Sequence, residues 1–121
     1  MFIPIFIVNA FTNELGKGNP AAVCPLETWL PTETLQSIAA ENNLSETAFF
    51  VKNERGYHLR WFTPSLEVDL CGHATLAAAF ILFEKLGFKE EKIKFITRSG
   101  SLEVIRKDNL FFFKFSQLLR R

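Results

Sequence analysis

Residues 71–87 read CGHATLAAAFILFEKLG. From Ala74 to Phe83 this stretch is apolar on almost every helical face, and Gly87 is a residue type that often lies just past a helix end. A helix at a protein surface would carry a polar face. The pattern therefore predicts a helix of about Gly72–Leu86 that the rest of the fold encloses. The apolar stretch is much shorter than the roughly 20 residues that a membrane span needs.

The segments around this helix alternate in polarity or are rich in β-branched and aromatic residues, which is typical of strands. The predicted strands are Phe2–Phe11, Ala21–Leu26, Ser45–Lys52, Tyr57–Thr63, Lys92–Thr97, Ser101–Arg106 and Leu110–Phe115. A second helix, at the surface, is predicted over Thr32–Asn42 because apolar residues recur there at helical spacing after Pro31. We expect an α+β fold whose strands form a barrel or a strongly curved sheet around the central helix.

The composition is that of one soluble domain, which we place at residues 1–121. Hydrophobic residues make up 48% and charged residues 22%, so a real core can form and disorder is not expected. The net charge of +1 gives no surplus for neutralising phosphates, which argues against nucleic acid as a partner. Two cysteines without a signal-peptide pattern favour a reduced, cytoplasmic setting.

Several common kinds of site are not indicated. The soft metal ligands Cys24, Cys71, His58 and His73 do not fall at zinc-site spacing, so we expect no metal. His58 lies in an alternating strand and is predicted to be exposed. The turn at residues 16–20 lacks the Gly-Lys-Ser/Thr ending of a phosphate loop.

Glu46 is the first candidate for chemistry because it stands where the first helix gives way to a strand. A partly desolvated carboxyl at such a position has a raised pKa and can exchange protons at neutral pH. The alternative, left open here, is a solvated turn glutamate or one that bonds nearby backbone.

The start of the central helix is the second candidate. The backbone N–H groups of residues 72–75 and the positive end of the helix dipole can hold a carboxylate or a phosphate. Cys71 beside them is expected to have a lowered pKa, and His73 could donate to a substrate or carry a proton. The alternatives are a small buried cysteine and a histidine that only caps the helix.

Five ordered segments together resemble the PhzF family, named after a phenazine-biosynthesis enzyme, whose fold is that of diaminopimelate epimerase. They are Val8–Thr12, Gly18–Val23, Asn43–Phe49, Arg60–Pro64 and, most strongly, Glu67–Thr75. The resemblance extends from the start of the chain to about Val104.

The resemblance implies roles for particular residues. It makes Glu46 the acid/base of a cofactor-independent isomerase or epimerase that moves a proton between carbon atoms of a small carboxylate-bearing metabolite. His73 and Cys71 are its further predicted catalytic residues, although the phenazine enzyme itself has alanine in place of the cysteine. The predicted substrate-binding residues are Gly72, Ala74, Thr75, Ser45 and Asn19.

Family members consist of two similar halves with the site in the cleft between them, and this chain corresponds to the N-terminal half. We therefore expect a homodimer or a separately encoded second half as partner, and no nucleic acid or membrane. The competing hypothesis is a truncated or stand-alone half that binds a ligand or a partner without catalysis.

Overall fold

The computed structural model describes residues 2–9, 20–108 and 110–115. Those residues form two helices and eight strands. In chain order they are β1 (Phe6–Val8), β2 (Ala21–Leu26), α1 (Thr32–Asn42), β3 (Glu46–Asn53), β4 (Gly56–Phe62), β5 (Glu67–Val68), α2 (Gly72–Glu84), β6 (Lys92–Thr97), β7 (Gly100–Lys107) and β8 (Leu110–Phe115).

All the strands belong to one mixed sheet of order β1-β2-β3-β4-β6-β7-β8, which curls into a half-barrel. The pairs β2–β3 and β4–β6 are parallel, and the remaining pairs are antiparallel. Each parallel pair is joined by a helix, α1 in the first connection and α2 in the second, as parallel pairing requires.

The sheet forks at β4. Its first part pairs with β6, through Tyr57 opposite Phe95 and His58 opposite Ile96. Its last part pairs instead with the two-residue β5, through Trp61 opposite Val68 and Phe62 opposite Glu67. The short β5 therefore occupies the place beside β4 that β6 has left, and it leads directly into α2.

Helix α2 is the centre of the larger core. Eight of its thirteen residues are buried, including three consecutive alanines that let the sheet approach closely. Packed around it are inward-facing side chains of the sheet, among them Trp61, Phe95 and Val104. The predicted enclosed helix is confirmed.

Helix α1 covers the opposite face of the same sheet. Alternate residues of β3 divide between the two sides: Ala48 and Phe50 belong to the α2 core, whereas Phe49 packs with Leu35 and Ala39 of α1. This alternation is the period of two that strands impose on their side chains. The smaller core fixes α1 at the surface, as predicted.

The predicted elements agree with the structure apart from a few differences. Strand β1 covers only Phe6–Val8 of the predicted Phe2–Phe11: residues 2–5 and 9 are not in a strand, and residues 10 and 11 lie outside the described residues. Helix α2 ends at Glu84, and Gly87 follows at φ +75° with Phe88 N–H bonded to Leu82 O at 3.0 Å. The strand β5 was not expected. The prediction that His58 is exposed is wrong. It is half-buried, beside Trp29.

Candidate active site

Glu46 enters the site because of how α1 ends. Asn43 adopts a left-handed conformation, with φ 54°, and its N–H bonds Ala39 O at 3.1 Å, which turns the chain into β3. Glu46 is the first residue of β3 and pairs with Ala21 in the parallel ladder. Two residues before Ala48, it shares the sheet face that packs against α2.

The Glu46 side chain presents an unsatisfied polar atom. Its Oε1 is buried and accepts no hydrogen bond from the residues that the structure describes. Buried polar atoms are nearly always paired, so an orphaned carboxylate oxygen calls for a functional explanation. A glutamate that only turned the chain would be solvated or bonded to backbone, whereas this oxygen is buried and bonds no backbone group in the described ranges.

Cys71 caps the start of α2. It is extended, with φ −147° and ψ 100°, and its Sγ accepts the Ala74 N–H at 3.5 Å while its carbonyl accepts the Thr75 N–H at 3.1 Å. The expectation of four free N–H groups at residues 72–75 is therefore wrong for Ala74 and Thr75. Their N–H groups are already engaged within the first turn.

The pKa of the Cys71 thiol is raised, whereas the sequence predicted that it would be lowered. Burial is the largest cause, and the nearby Glu46 carboxylate raises the pKa further. Backbone hydrogen bonds from Ala74 and His73 act in the lowering direction but do not outweigh burial. Glu46 therefore lies within electrostatic range of Cys71.

The other predicted site residues are placed as follows. Gly72 opens α2, and a Cβ added there would lie 3.5 Å from the Phe113 ring, an ordinary contact distance. His73 follows in the first turn, with Ala74 and Thr75 buried behind it. Ser45 lies in the exposed turn before Glu46. Asn19 lies outside the described residues.

The sequence analysis missed the contacts that hold this region in place. Trp61 donates its indole N–H to Thr75 Oγ1 at 2.9 Å, and Arg60 makes two 2.9 Å hydrogen bonds to the Glu67 carboxylate. Arg60 lowers the pKa of Glu67 by that hydrogen bonding. All four residues belong to the segments Arg60–Pro64 and Glu67–Thr75, which carry the family resemblance. Their presence in these segments is the sequence signal that could have identified them.

A cavity of about 450 Å³ lies elsewhere in the molecule. Its walls come from residues 2–4, 25–28 and 30, at the end of β2 remote from Glu46, and include none of the predicted site residues. The described residues contain no group of three or more His, Cys, Asp or Glu side chains placed to hold a metal ion. Neither helix in the described part of the chain has the length and apolarity needed to cross a membrane.

The fold and the site define a class: an α+β half-barrel of the diaminopimelate epimerase type, with a glutamate facing the start of the central helix. The phenazine biosynthesis-like protein family, PhzC-PhzF, matches residues 8–113. The chain belongs to this family.

Two relatives illustrate its range. An uncharacterized isomerase of Pseudomonas aeruginosa is 58% identical over 107 residues, which are 88% of this chain and 41% of the relative. A human phenazine biosynthesis-like domain-containing protein is 48% identical over 117 residues, 90% of this chain and 41% of that protein. The chain thus spans about two-fifths of the length of these relatives.

Solved structures agree with the architecture. A PhzF-family protein from Enterococcus faecalis superposes with a TM-score of 0.86 at 56% identity, covering 92% of this chain and 43% of the other. A protein described as a predicted epimerase from P. aeruginosa shares the fold, with a TM-score of 0.71 at 23% identity over 90% of this chain and 40% of the other.

Proposed function

We propose that this chain carries half of the active site of a cofactor-independent isomerase, with Glu46 as its general acid/base. Glu46 takes a proton from one carbon of a small carboxylate-bearing metabolite and returns it to another. The observation that carries the proposal is the buried, unpartnered Oε1 of Glu46 on the sheet face that packs against α2. Such an oxygen is buried and has no hydrogen-bond partner among the described residues to release before it accepts a proton.

The start of α2 is the proposed holder of the substrate carboxylate. A helix of thirteen residues presents the positive end of its dipole there, and Gly72 offers backbone without a side chain. The His73 imidazole is the proposed second proton-handling group. Cys71 contributes mainly as the cap, because its raised pKa keeps the thiol protonated at neutral pH.

The remaining contacts are proposed from the family resemblance. Ala74 and Thr75 form the wall behind the helix start, and Ser45 and Asn19 are the proposed polar contacts to the substrate. A second half, from a separately encoded chain or a second copy, closes the cleft. The proposal is consistent with the relative described as an isomerase and with the share of that relative which this chain spans.

The test is proton exchange with solvent. The chain is incubated in D₂O with a panel of α-amino and α-hydroxy acids, and deuterium incorporation at carbon is followed by mass spectrometry. In a preparation that incorporates deuterium, whether the chain alone or the chain completed by its second half, Glu46→Gln should lower the rate of incorporation about 10²–10⁴-fold, the usual contribution of a positioned acid/base. The control is Glu54→Gln, an exposed glutamate in the β3–β4 turn, which should leave the rate unchanged.

Incorporation that survives Glu46→Gln at the same rate would overturn the role of Glu46.

A second candidate function is a half that binds a ligand or a partner without catalysis. It is favoured by Leu66 and Leu70, which are 54% and 47% exposed in the segment leading to Cys71. Calorimetric binding of the same acids with no incorporation of deuterium would support this second candidate.

A further inference from the structure

A buried hydroxyl links β4 to the start of α2. Thr75 and Trp61 are both fully buried. The Trp61 indole N–H donates to Thr75 Oγ1 at 2.9 Å, and Thr75 Oγ1 in turn donates to the Cys71 carbonyl at 2.7 Å. The chain of hydrogen bonds therefore runs from the sheet, through one hydroxyl, to the residue that caps the helix.

The neighbouring residue of β4 holds the same segment from the other side of the sheet. Successive residues of a strand face opposite ways, so Arg60 lies on the outer face when Trp61 lies on the inner one. Arg60 bonds both carboxylate oxygens of Glu67 at 2.9 Å, and Trp61 pairs with Val68 in the ladder. Two adjacent residues of β4 thus fix the segment from β5 to α2 on both faces.

We propose that Trp61 and Thr75 are positioning residues of the candidate site, which hold Cys71 and the first turn of α2 in place opposite Glu46. This proposal rests on the function proposed above, because that function requires the start of α2 to be held near Glu46. The Thr75 hydroxyl is the essential part, since it accepts and donates at the same time and no water can replace it in a fully buried position.

Thr75→Val removes both hydrogen bonds while keeping the shape of the side chain. The Trp61 indole N–H then loses its acceptor, and the Cys71 carbonyl loses one of its two donors. The Thr75 backbone N–H still donates to that carbonyl. The first turn of α2 should open more often while the rest of the fold stays closed. Cys71 reports this opening directly, because its thiol is half-buried at the cap.

The experiment measures the rate at which iodoacetamide alkylates each cysteine, at one pH and again as a pH profile. In Thr75→Val, Cys71 should react about two- to tenfold faster than in the unchanged chain, the change in local opening that one net hydrogen bond produces. Thr75→Ser keeps the hydroxyl and should restore the original rate. Cys24 is fully buried, with a pKa raised to about 12, and should stay unreactive while the fold is intact.

Thr47→Val is the matched control. Thr47 is also fully buried and its hydroxyl accepts a hydrogen bond, from Asn42 at 3.2 Å, but it lies on the sheet face that packs against α1. It should lower global stability without changing the rate at Cys71. If Thr75→Val does not fold, Trp61→Phe removes the indole donor together with part of the buried ring, leaves the bond from Thr75 Oγ1 to the Cys71 carbonyl in place, and should also accelerate alkylation of Cys71.

Equal Cys71 rates in the unchanged chain and in the folded Thr75 or Trp61 variant would overturn the proposal. So would an equal acceleration in Thr47→Val, because the effect would then be general destabilisation. Alkylation does not depend on turnover. An unchanged deuterium exchange rate in Glu46→Gln would therefore refute the acid/base role while leaving this result intact.

Discussion

At the scale of single residues, His58 is held by a contact that requires it to be neutral. The Trp29 indole N–H donates to His58 Nδ1 at 2.9 Å, which is possible only while that nitrogen carries no proton. Burial lowers the pKa of His58, and the positive charge of Arg60 lowers it further, whereas Glu67 acts in the opposite direction. The folded state therefore prefers the neutral imidazole.

A pH dependence follows from this lowered pKa. The unfolded chain binds a proton on His58 more readily than the folded one, so the stabilisation is complete above the unfolded pKa of about 6.5 and is lost as the pH falls towards the folded value. Chemical denaturation at pH 7.5 and 5.5 should show a loss on the order of 1 kcal/mol, the net worth of the Trp29 hydrogen bond.

His58→Gln is the control for this prediction, because an amide oxygen can still accept from Trp29 but does not titrate. The variant should lose less stability than the unchanged chain between the two pH values. An equal loss in the two proteins would contradict the assignment.

The orientation of single residues was partly predictable. Glu46 stands an even number of residues before Ala48 and Phe50, so the alternation of the strand already places it on the face of the central helix. The thiol pKa of Cys71 was not predictable from its helix-start position. It depends on burial by the sheet and on a carboxylate 25 positions earlier in the chain.

At the scale of elements, local signals were sufficient for both helices. The start of α2 follows from its cap residue and its uninterrupted apolar run, and Thr32–Asn42 is a helix with the predicted bounds. Strand β5 could not be seen in this way, because it has only two residues and exists because β4 offers a free edge beyond the point where β6 leaves.

Two glycines allow a test of backbone requirements at this scale. Gly56 has φ +144°, and a Cβ there would lie 2.4 Å from Lys94 O, so the β3–β4 hairpin needs glycine for both conformation and space. Gly87 also has a positive φ, +75°, but nothing lies within 4 Å of an added Cβ.

Gly56→Ala should therefore destabilise the fold by about 3 kcal/mol, the upper end for a strained backbone position. Gly87→Ala should cost only about 1 kcal/mol, the penalty of a left-handed residue alone. Urea denaturation of the two variants beside the unchanged chain measures both. Equal losses of stability in the two variants would show that the backbone at Lys94 can move away from an added Cβ at residue 56 without a further loss of stability.

At the scale of the whole molecule, the apolar side chains beside the site suggest how the chain assembles. Leu66 and Leu70 flank the segment that leads to Cys71, whereas Leu86, which is 45% exposed, lies at the other end of α2. Exposed apolar surface beside a candidate active site is typical of an interface. A two-fold dimer needs only one self-complementary patch of this kind.

We therefore expect a homodimer of low or absent activity, because two Glu46 carboxylates would then meet in one cleft, where the family resemblance implies a single glutamate. Leu70→Lys should shift the chain towards monomer in sedimentation velocity runs at micromolar concentration. Leu86→Lys, with a similar exposure at the remote end of α2, should remain dimeric. A clean monomer for the unchanged chain would rule out the dimer.

The fork in the sheet determines how the last three strands are attached to the rest of the molecule. The meander β6–β7–β8 is continuous and antiparallel, but it joins β4 by only two residue pairs, at Tyr57 and His58. Beyond the fork, Arg98 contacts Glu67 at 3.3 Å and Asp69 at 3.1 Å, and the Ser99 hydroxyl donates to the Asp69 carbonyl at 2.7 Å. Dissolved salt weakens exposed ion pairs more than it weakens a packed core. Rising ionic strength should therefore weaken the Arg98 contacts first, while the core that β4, β6 and β7 share around α2 still holds the meander in place.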